Sequence, residues 1–180
     1  MAEMQDETAA ADSDDRTALN WLWLSGVVIG LDQVSKWLVH TRIDLADRIV
    51  INPLLELTHR HNTGAAFSFL ASQSGWQRWF FVALAIAVSG FIVAWLQGLK
   101  RHSPWPLAAG LSLILGGAIG NVIDRIHLGY VVDFVLLGYK DLVFPYAFNI
   151  ADAAISVGAA LLIIDALLDS FVRKTPNTAN

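Results

Sequence analysis

A mainly α-helical membrane protein, with four transmembrane helices and a small β-sheet at one face, is the architecture this sequence predicts. Three observations predict it. Apolar residues make up 55% of the chain and charged residues only 16%, against roughly 25% charged in an ordinary soluble domain. Mean hydropathy is +0.50, more apolar surface than a globule of 180 residues can hide. The apolar residues also gather into four stretches that approach the ~20 needed to cross a bilayer. These observations argue against a soluble enzyme, a disordered protein and a nucleic-acid binder. The absence of cysteine rules out disulfides and thiol chemistry.

The elements follow in chain order. Residues 1–17 hold Glu3, Asp6, Glu7, Asp12, Asp14 and Asp15 against Arg16. Such a segment is too polar to pack and reads as a disordered acidic tail. The first span, 19–39, opens W-L-W-L-S-G-V-V-I-G-L and then admits Asp32 and Lys36. Residues 41–78 are partly alternating, broken at Asn52-Pro53 and Asn62-Thr63-Gly64, and predict a small interfacial sheet. The second span, 79–99, carries no charge, and a short basic turn leads to the third, 104–123, with its G-G-A-I-G-N run. The 126–145 connection is too short and broken to span and is expected as a loop or helix at the sheet's side of the membrane. The fourth span, 146–168, has Asp152 near its start and Asp165 near its end; residues 173–180 form a second tail. Residues 18–172 are thus expected to form a single membrane-embedded domain. All seven tryptophans lie near span ends, where amphipathic rings anchor at the interface.

Parity then gathers the unusual residues. The exits of spans one and three and the entry of span four share one side, so Asp32, Lys36, the 41–78 segment, Asn121, Asp124, Arg125, Asp133, Asn149 and Asp152 meet at one face. The other face holds two tails and a basic turn. The pairs Lys100-Arg101 and Arg173-Lys174, free of acids, favour a cytosolic position for that plain face.

Each polar group has a bland reading beside a chemical one. Asp32 and Lys36, at i and i+4, read as a self-neutralising pair with Lys36 snorkelling outward, or as a substrate contact. Asp124 reads as a clamp on a neighbouring loop or a partner of Arg125, or as a chemical group. Gly116, Gly117 and Gly120 permit close helix approach. Asp133, in Y-V-V-D-F-V, and Asp152, in F-N-I-A-D-A-A-I, are ionisable groups in costly places. Two carboxylates in one dry pocket cannot both ionise easily, so one retains its proton and general acid–base work becomes available. Proton or ion translocation and a structural role remain open for the same pair. His59 and His61 are a chelating spacing with no third ligand evident, so no metal site is expected from them.

Five segments, D-Q-V-S-K at 32–36, H-N-T-G-A-A-F-S at 61–68, G-G-A-I-G-N-V-I-D-R at 116–125, G-Y-V-V-D-F at 129–134 and F-N-I-A-D-A-A-I at 148–155, occur in the order that characterises the bacterial lipoprotein signal peptidases (signal peptidase II). The chain resembles that family over about residues 19 to 170. The resemblance implies an intramembrane aspartic endopeptidase of the bacterial inner membrane, with both termini cytosolic and an extracytoplasmic sheet. Its reaction would remove signal peptides from prolipoproteins on the N-terminal side of a diacylglyceryl-modified cysteine. The dyad would fall on Asp133 and Asp152. Asp32, Lys36, Asn62, Gly64, Asn121, Asp124, Arg125, Asn149 and Ala151 would shape or support the site. No cofactor and no metal are implied; membrane lipids and globomycin-type cyclic peptide inhibitors are, and the chain is expected to be a monomer that binds no nucleic acid. The 41–78 and 126–145 segments are expected to fold over the substrate. The alternative from another class is a small proton-coupled transporter using the same carboxylates.

Overall fold

A computed structural model describes residues 17–64, 75–100, 103–139, 142–143 and 146–173. The acidic tail, the Ala65–Ser68 end of the H-N-T-G-A-A-F-S segment and most of the C-terminal tail lie outside the described residues.

After a single 3-10 turn at Ala18–Trp21, helix α1 runs Leu22–Arg42. Strands β1 (Arg48–Asn52) and β2 (Leu55–Asn62) follow, then α2 (Trp76–Gly98) and α3 (Trp105–His127). Strand β3 (Val131–Tyr139), the short β4 (Leu142–Val143) and α4 (Ile150–Leu168) complete the chain, whose last described turn is π-helical, Asp169–Arg173. Among the described residues three helices, α2, α3 and Ile150–Phe171, are long and apolar enough to cross a membrane. Helix α1 contains three charged residues, Asp32, Lys36 and Arg42, besides His40, which dilute its hydropathy.

Helix α3 is the hub. It buries thirteen of its residues, whereas most of the apolar side chains of α2 and α4 face outward. That inside-out distribution suits helices whose outer faces meet lipid. Trp23, Trp37, Trp76, Trp79, Trp95 and Trp105 are all exposed near helix ends. The α3–α4 contact is backbone-close. A Cβ at Gly110 would stand 2.8 Å from the Gly158 carbonyl, and one at Gly158 would stand 2.6 Å from the Gly110 carbonyl. Where neighbouring solvent is as apolar as the side chains, such packing is a main source of helix association. At the plain end, the Ala18 N–H donates to the Leu99 carbonyl at 3.0 Å.

The opposite end carries the sheet, ordered β1-β2-β3-β4 and antiparallel throughout. The β1–β2 turn is held by the Asn52 side chain, which accepts the Leu54 N–H at 2.8 Å. The 126–145 segment corrects the expectation of a loop or helix. Its residues 131–139 and 142–143 are strand, and β3 pairs with β2 through Leu55↔Leu137, Arg60↔Asp133 and Asn62↔Val131. Gly129 makes the reversal out of α3 with φ +88, a conformation that L side chains resist. Val131, Val132 and Phe134 are buried, and this β-branched run fits a pleated surface covered on both sides. Strands from segments 41–78 and 126–145 thus share one sheet.

Gly158→Leu is expected to force α3 and α4 apart, costing about 1–3 kcal/mol or more. A lowered thermal-unfolding midpoint in detergent checks this, and an unchanged midpoint would contradict the packing described.

Candidate active site

The site grows from one buried cation. Lys36 projects from α1 into the bundle at 3% exposure, where its Nζ lies 2.8 Å from Asp32 Oδ2 and 2.9 Å from Asp124 Oδ2. The outward snorkelling expected of Lys36 does not occur, because two carboxylates and an amide hold it inward. Asp124 pairs with this lysine, where Arg125 was the partner considered. It also clamps a neighbouring segment, accepting the Val132 N–H at 3.1 Å. Asp32 reaches the other way, accepting the Ala151 N–H at 2.9 Å. One ionic cluster therefore fixes the start of β3 and the first turn of α4 relative to α1 and α3.

The third donor bond of Lys36 sets the chemistry of its neighbours. Its Nζ donates to Asn121 Oδ1 at 3.0 Å. Since an ammonium only donates, Asn121 must turn its Oδ1 toward Lys36 and its Nδ2 away. That Nδ2 donates to Asp152 Oδ1 at 2.8 Å. Asn149 Nδ2 donates to Asp133 Oδ1 at 2.7 Å and lies 3.3 Å from Asn121 Oδ1. Asn62 Nδ2 donates to the second oxygen, Asp133 Oδ2, at 2.9 Å. Asp133 and Asp152, nineteen residues apart in sequence, are thus joined through two asparagines.

Local sequence explains each placement. Asn149 caps α4: its Oδ1 accepts the Asp152 N–H at 2.9 Å, while Asp152 Oδ2 accepts the Asn149 N–H at 3.3 Å. This reciprocal capping box orients both side chains through contacts local to the helix start. The residue before it, Phe148, exchanges backbone hydrogen bonds of 2.8 and 3.0 Å with Val135, which draws the helix start against β3. On the other side, Asn62 Oδ1 accepts the Gly64 N–H at 3.0 Å, and an Arg125 guanidinium nitrogen donates to the Gly64 carbonyl at 2.9 Å. Arg125 also lies over the Phe81 ring, 5.3 Å from its centroid. The chain leaving β2 is held there by two side chains.

The Asp133 carboxyl is pushed up to about 7, chiefly because it is buried and then because Asp152 stands nearby; the donors on Asn62 and Asn149, and the charge of Lys36, oppose the rise. The arrangement therefore offers a carboxylic acid that keeps its proton near neutrality beside a second carboxyl group, which is the equipment for general acid–base work.

At this point the relatives become decisive. The family model described as "Signal peptidase (SPase) II" matches residues 24–168. The chain belongs to the signal peptidase II family. It is 51% identical to the lipoprotein signal peptidase of Pseudomonas fluorescens (strain Pf0-1) over 148 residues, 82% of this chain and 86% of that protein. With the lipoprotein signal peptidase of Pseudomonas syringae pv. tomato (strain DC3000) it shares 44% identity over 178 residues, 98% of this chain and 99% of that one. A solved structure described as "Bacterial membrane enzyme structure by the in meso method at 2.3 A resolution" superposes with a TM-score of 0.76 at 31% identity, covering 89% of this chain and 94% of the other.

Sequence reading missed two contributors in this family member, Gln33 and the Val132 N–H, whereas the close approach expected at Gly120 is found. Gln33 Nε2 lies 3.0 Å from Asp124 Oδ1, 3.1 Å from the Gly120 carbonyl and 3.2 Å from Asp32 Oδ2. Its place beside Asp32 was the available signal, but an uncharged amide one residue from a charged pair draws no notice. Gly120 makes room for the cluster, since a Cβ there would stand 2.6 Å from Asp32 Oδ2. The Val132 N–H, a backbone donor, has no sequence signature.

Two outcomes are expected. Lys36→Met leaves two carboxylates buried without their cation and is expected to cost about 3–5 kcal/mol, read as a lowered unfolding midpoint that Asp32→Asn in the same chain partly restores. For Asp133, the folded carboxyl binds its proton more tightly than the unfolded chain does, where the ordinary value is about 3.9. Its contribution to stability is complete below about pH 4 and is lost as pH rises through about 7. Asp133→Asn should therefore gain stability relative to the unsubstituted protein between about pH 5 and pH 8. A stability difference that does not change with pH would contradict the raised carboxyl.

Proposed function

We propose that this chain is an intramembrane aspartic endopeptidase that removes signal peptides from bacterial prolipoproteins, cutting on the N-terminal side of a diacylglyceryl-modified cysteine. The observation that carries this reading is the Asp133–Asn149–Asn121–Asp152 hydrogen-bond chain at one end of a lipid-facing bundle. Membership of the signal peptidase II family supplies the substrate class, and lends no support to a proton-coupled transporter.

In the proposed reaction the two carboxyls share one proton and hold a water between them. Ionised Asp152 takes a proton from that water as its oxygen attacks the scissile carbonyl. Protonated Asp133 gives its proton to the carbonyl oxygen, so no free oxyanion forms. When the tetrahedral species collapses, the C–N bond breaks and the leaving nitrogen takes the proton from Asp152. Asp133 recovers its own from the hydroxyl as the new carboxyl group forms. Asn62, Asn121 and Asn149 hold the carboxyl oxygens in register. Lys36, Asp32, Asp124, Ala151, Gly64 and Arg125 are positioning groups that act through them.

The same reading treats α1 as a fourth span. Its 21 residues extend about 31 Å at 1.5 Å per residue. Its polar residues Ser25, Asp32 and Lys36 are buried, while Val27, Leu31, Val34 and Leu38 are exposed; the mid-helix charges Asp32 and Lys36 face the bundle, and lipid meets the apolar face. Four spans put both termini on one side, the cytosolic side of the inner membrane, and the sheet and carboxyls on the other. Residues 18–172 then form one peptidase domain flanked by two tails. The enzyme acts as a monomer among membrane lipids, and globomycin-type cyclic peptides occupy the substrate's place.

Asp133→Asn and Asp152→Asn are each expected to lower processing of a diacylglyceryl-modified prolipoprotein by at least about 10²-fold, with expression retained and the unfolding midpoint not lowered. A gel-shift assay run with chelator present checks this. Processing that survives either substitution would mean that the reaction runs through other groups.

A further inference from the structure

A second cluster of titratable side chains lies away from the carboxyls. His59 and His61 share a face of β2, being two residues apart, and His40 reaches them from the last turn of α1. The three imidazoles place one ligand nitrogen each within 4.8 Å of one another. His59 Nε2 and His61 Nε2 are 3.1 Å apart, close to the ~3.3 Å separating two nitrogens that bind a tetrahedral zinc ion at 2.0–2.1 Å.

The surroundings prepare these rings for a cation. His59 Nδ1 lies 2.9 Å from the Ile43 carbonyl. A carbonyl only accepts, so Nδ1 carries the hydrogen and, in the neutral ring, Nε2 turns its lone pair toward His61. A backbone carbonyl behind the imidazole is the usual outer partner of a metal-binding histidine. Tyr130 stacks on His61 with ring centroids 3.7 Å apart and planes at 18°, which fixes that ring's plane. His59 is buried whereas His40 and His61 are exposed, so the cluster opens to solvent on one side.

We propose that His40, His59 and His61 form a binding site for a Zn²⁺-class transition-metal ion, with a water in the fourth position. Three imidazoles suit zinc, nickel and copper over magnesium or calcium. A bound ion would tie the end of α1 to β2. Because His61 is paired with Val132 and precedes Asn62, the tie would hold the strand that supplies a donor to Asp133. The ion takes no part in the proposed peptide hydrolysis.

The test uses the full chain without a polyhistidine tag, purified in detergent, stripped with chelator and titrated with zinc chloride against a chromophoric competing chelator. Saturable binding of one ion per chain is expected. His40→Ala and His61→Ala, both at exposed positions, should each weaken it at least tenfold, and Asp133→Asn should leave it unchanged. Wild-type binding no tighter than that of the His40→Ala/His61→Ala double variant overturns the proposal. So does binding lost in Asp133→Asn, which would place the ion on the carboxyls. A readout that needs no variant is the visible spectrum with Co²⁺. Intense d–d bands of a four- or five-coordinate site support the proposal, and the weak spectrum of octahedral cobalt counts against it.

Discussion

A lysine buried among three oxygen acceptors is the constraint on which this structure depends. Lys36 Nζ meets Asp32, Asp124 and Asn121 at 2.8 to 3.0 Å, and each contact carries a different part of the fold. Through Asp32 it fixes the α4 backbone at Ala151, through Asp124 the β3 backbone at Val132, and through Asn121 the Asp152 side chain. An ammonium in a dry interior is expensive unless paired and fully hydrogen-bonded. Few arrangements of α1, α3, α4 and β3 satisfy all three partners together, so the cost of burial becomes geometric specificity.

That specificity passes to the carboxyls through amides rather than through further charges. Asparagine both donates and accepts, so Asn121 relays the position of Lys36 to Asp152, and Asn149 links the cap of α4 to Asp133. Had cations stood in these places, both acids would be held ionised. Amide donors oppose the rise in the Asp133 pKa more weakly than burial and Asp152 raise it. The same surroundings thus position the pair and leave it able to hold a proton. The small residues of α3 belong to this design, because Gly117 and Gly120 let Ala151 and Asp32 approach the helix closely.

Much of the fold was legible because bilayer solvation imposes strong rules. Apolar runs of about twenty residues, tryptophans at their ends, and the parity of spans gather the unusual polar residues at one end of the bundle. Strand β3 was not legible as a strand. Val131, Val132, Phe134 and Leu136 are buried, as are Asp133 on the intervening position, so the run lacks the alternation that marks a half-exposed strand. Its partner β2 lies some seventy residues away, and pairing at that range leaves no local signal. Lys36 misled for a related reason: a lysine near a span end usually snorkels, and here Asp124 and Asn121 of another helix join Asp32 of its own to turn it inward.

Sequence alone determined the membrane class, the spans α2, α3 and α4, the family, and the identity of the polar residues that meet at one end, because hydropathy and motif order are properties of the linear chain. Tertiary structure decided which of those residues touch. It set the direction of Lys36, the partner of Asp124, the asparagine links between Asp133 and Asp152, and the meeting of His40 with His59 and His61. Each of these joins segments separated by at least one turn of chain reversal, and the contacts depend on helix crossing distances and strand register, which no local pattern encodes.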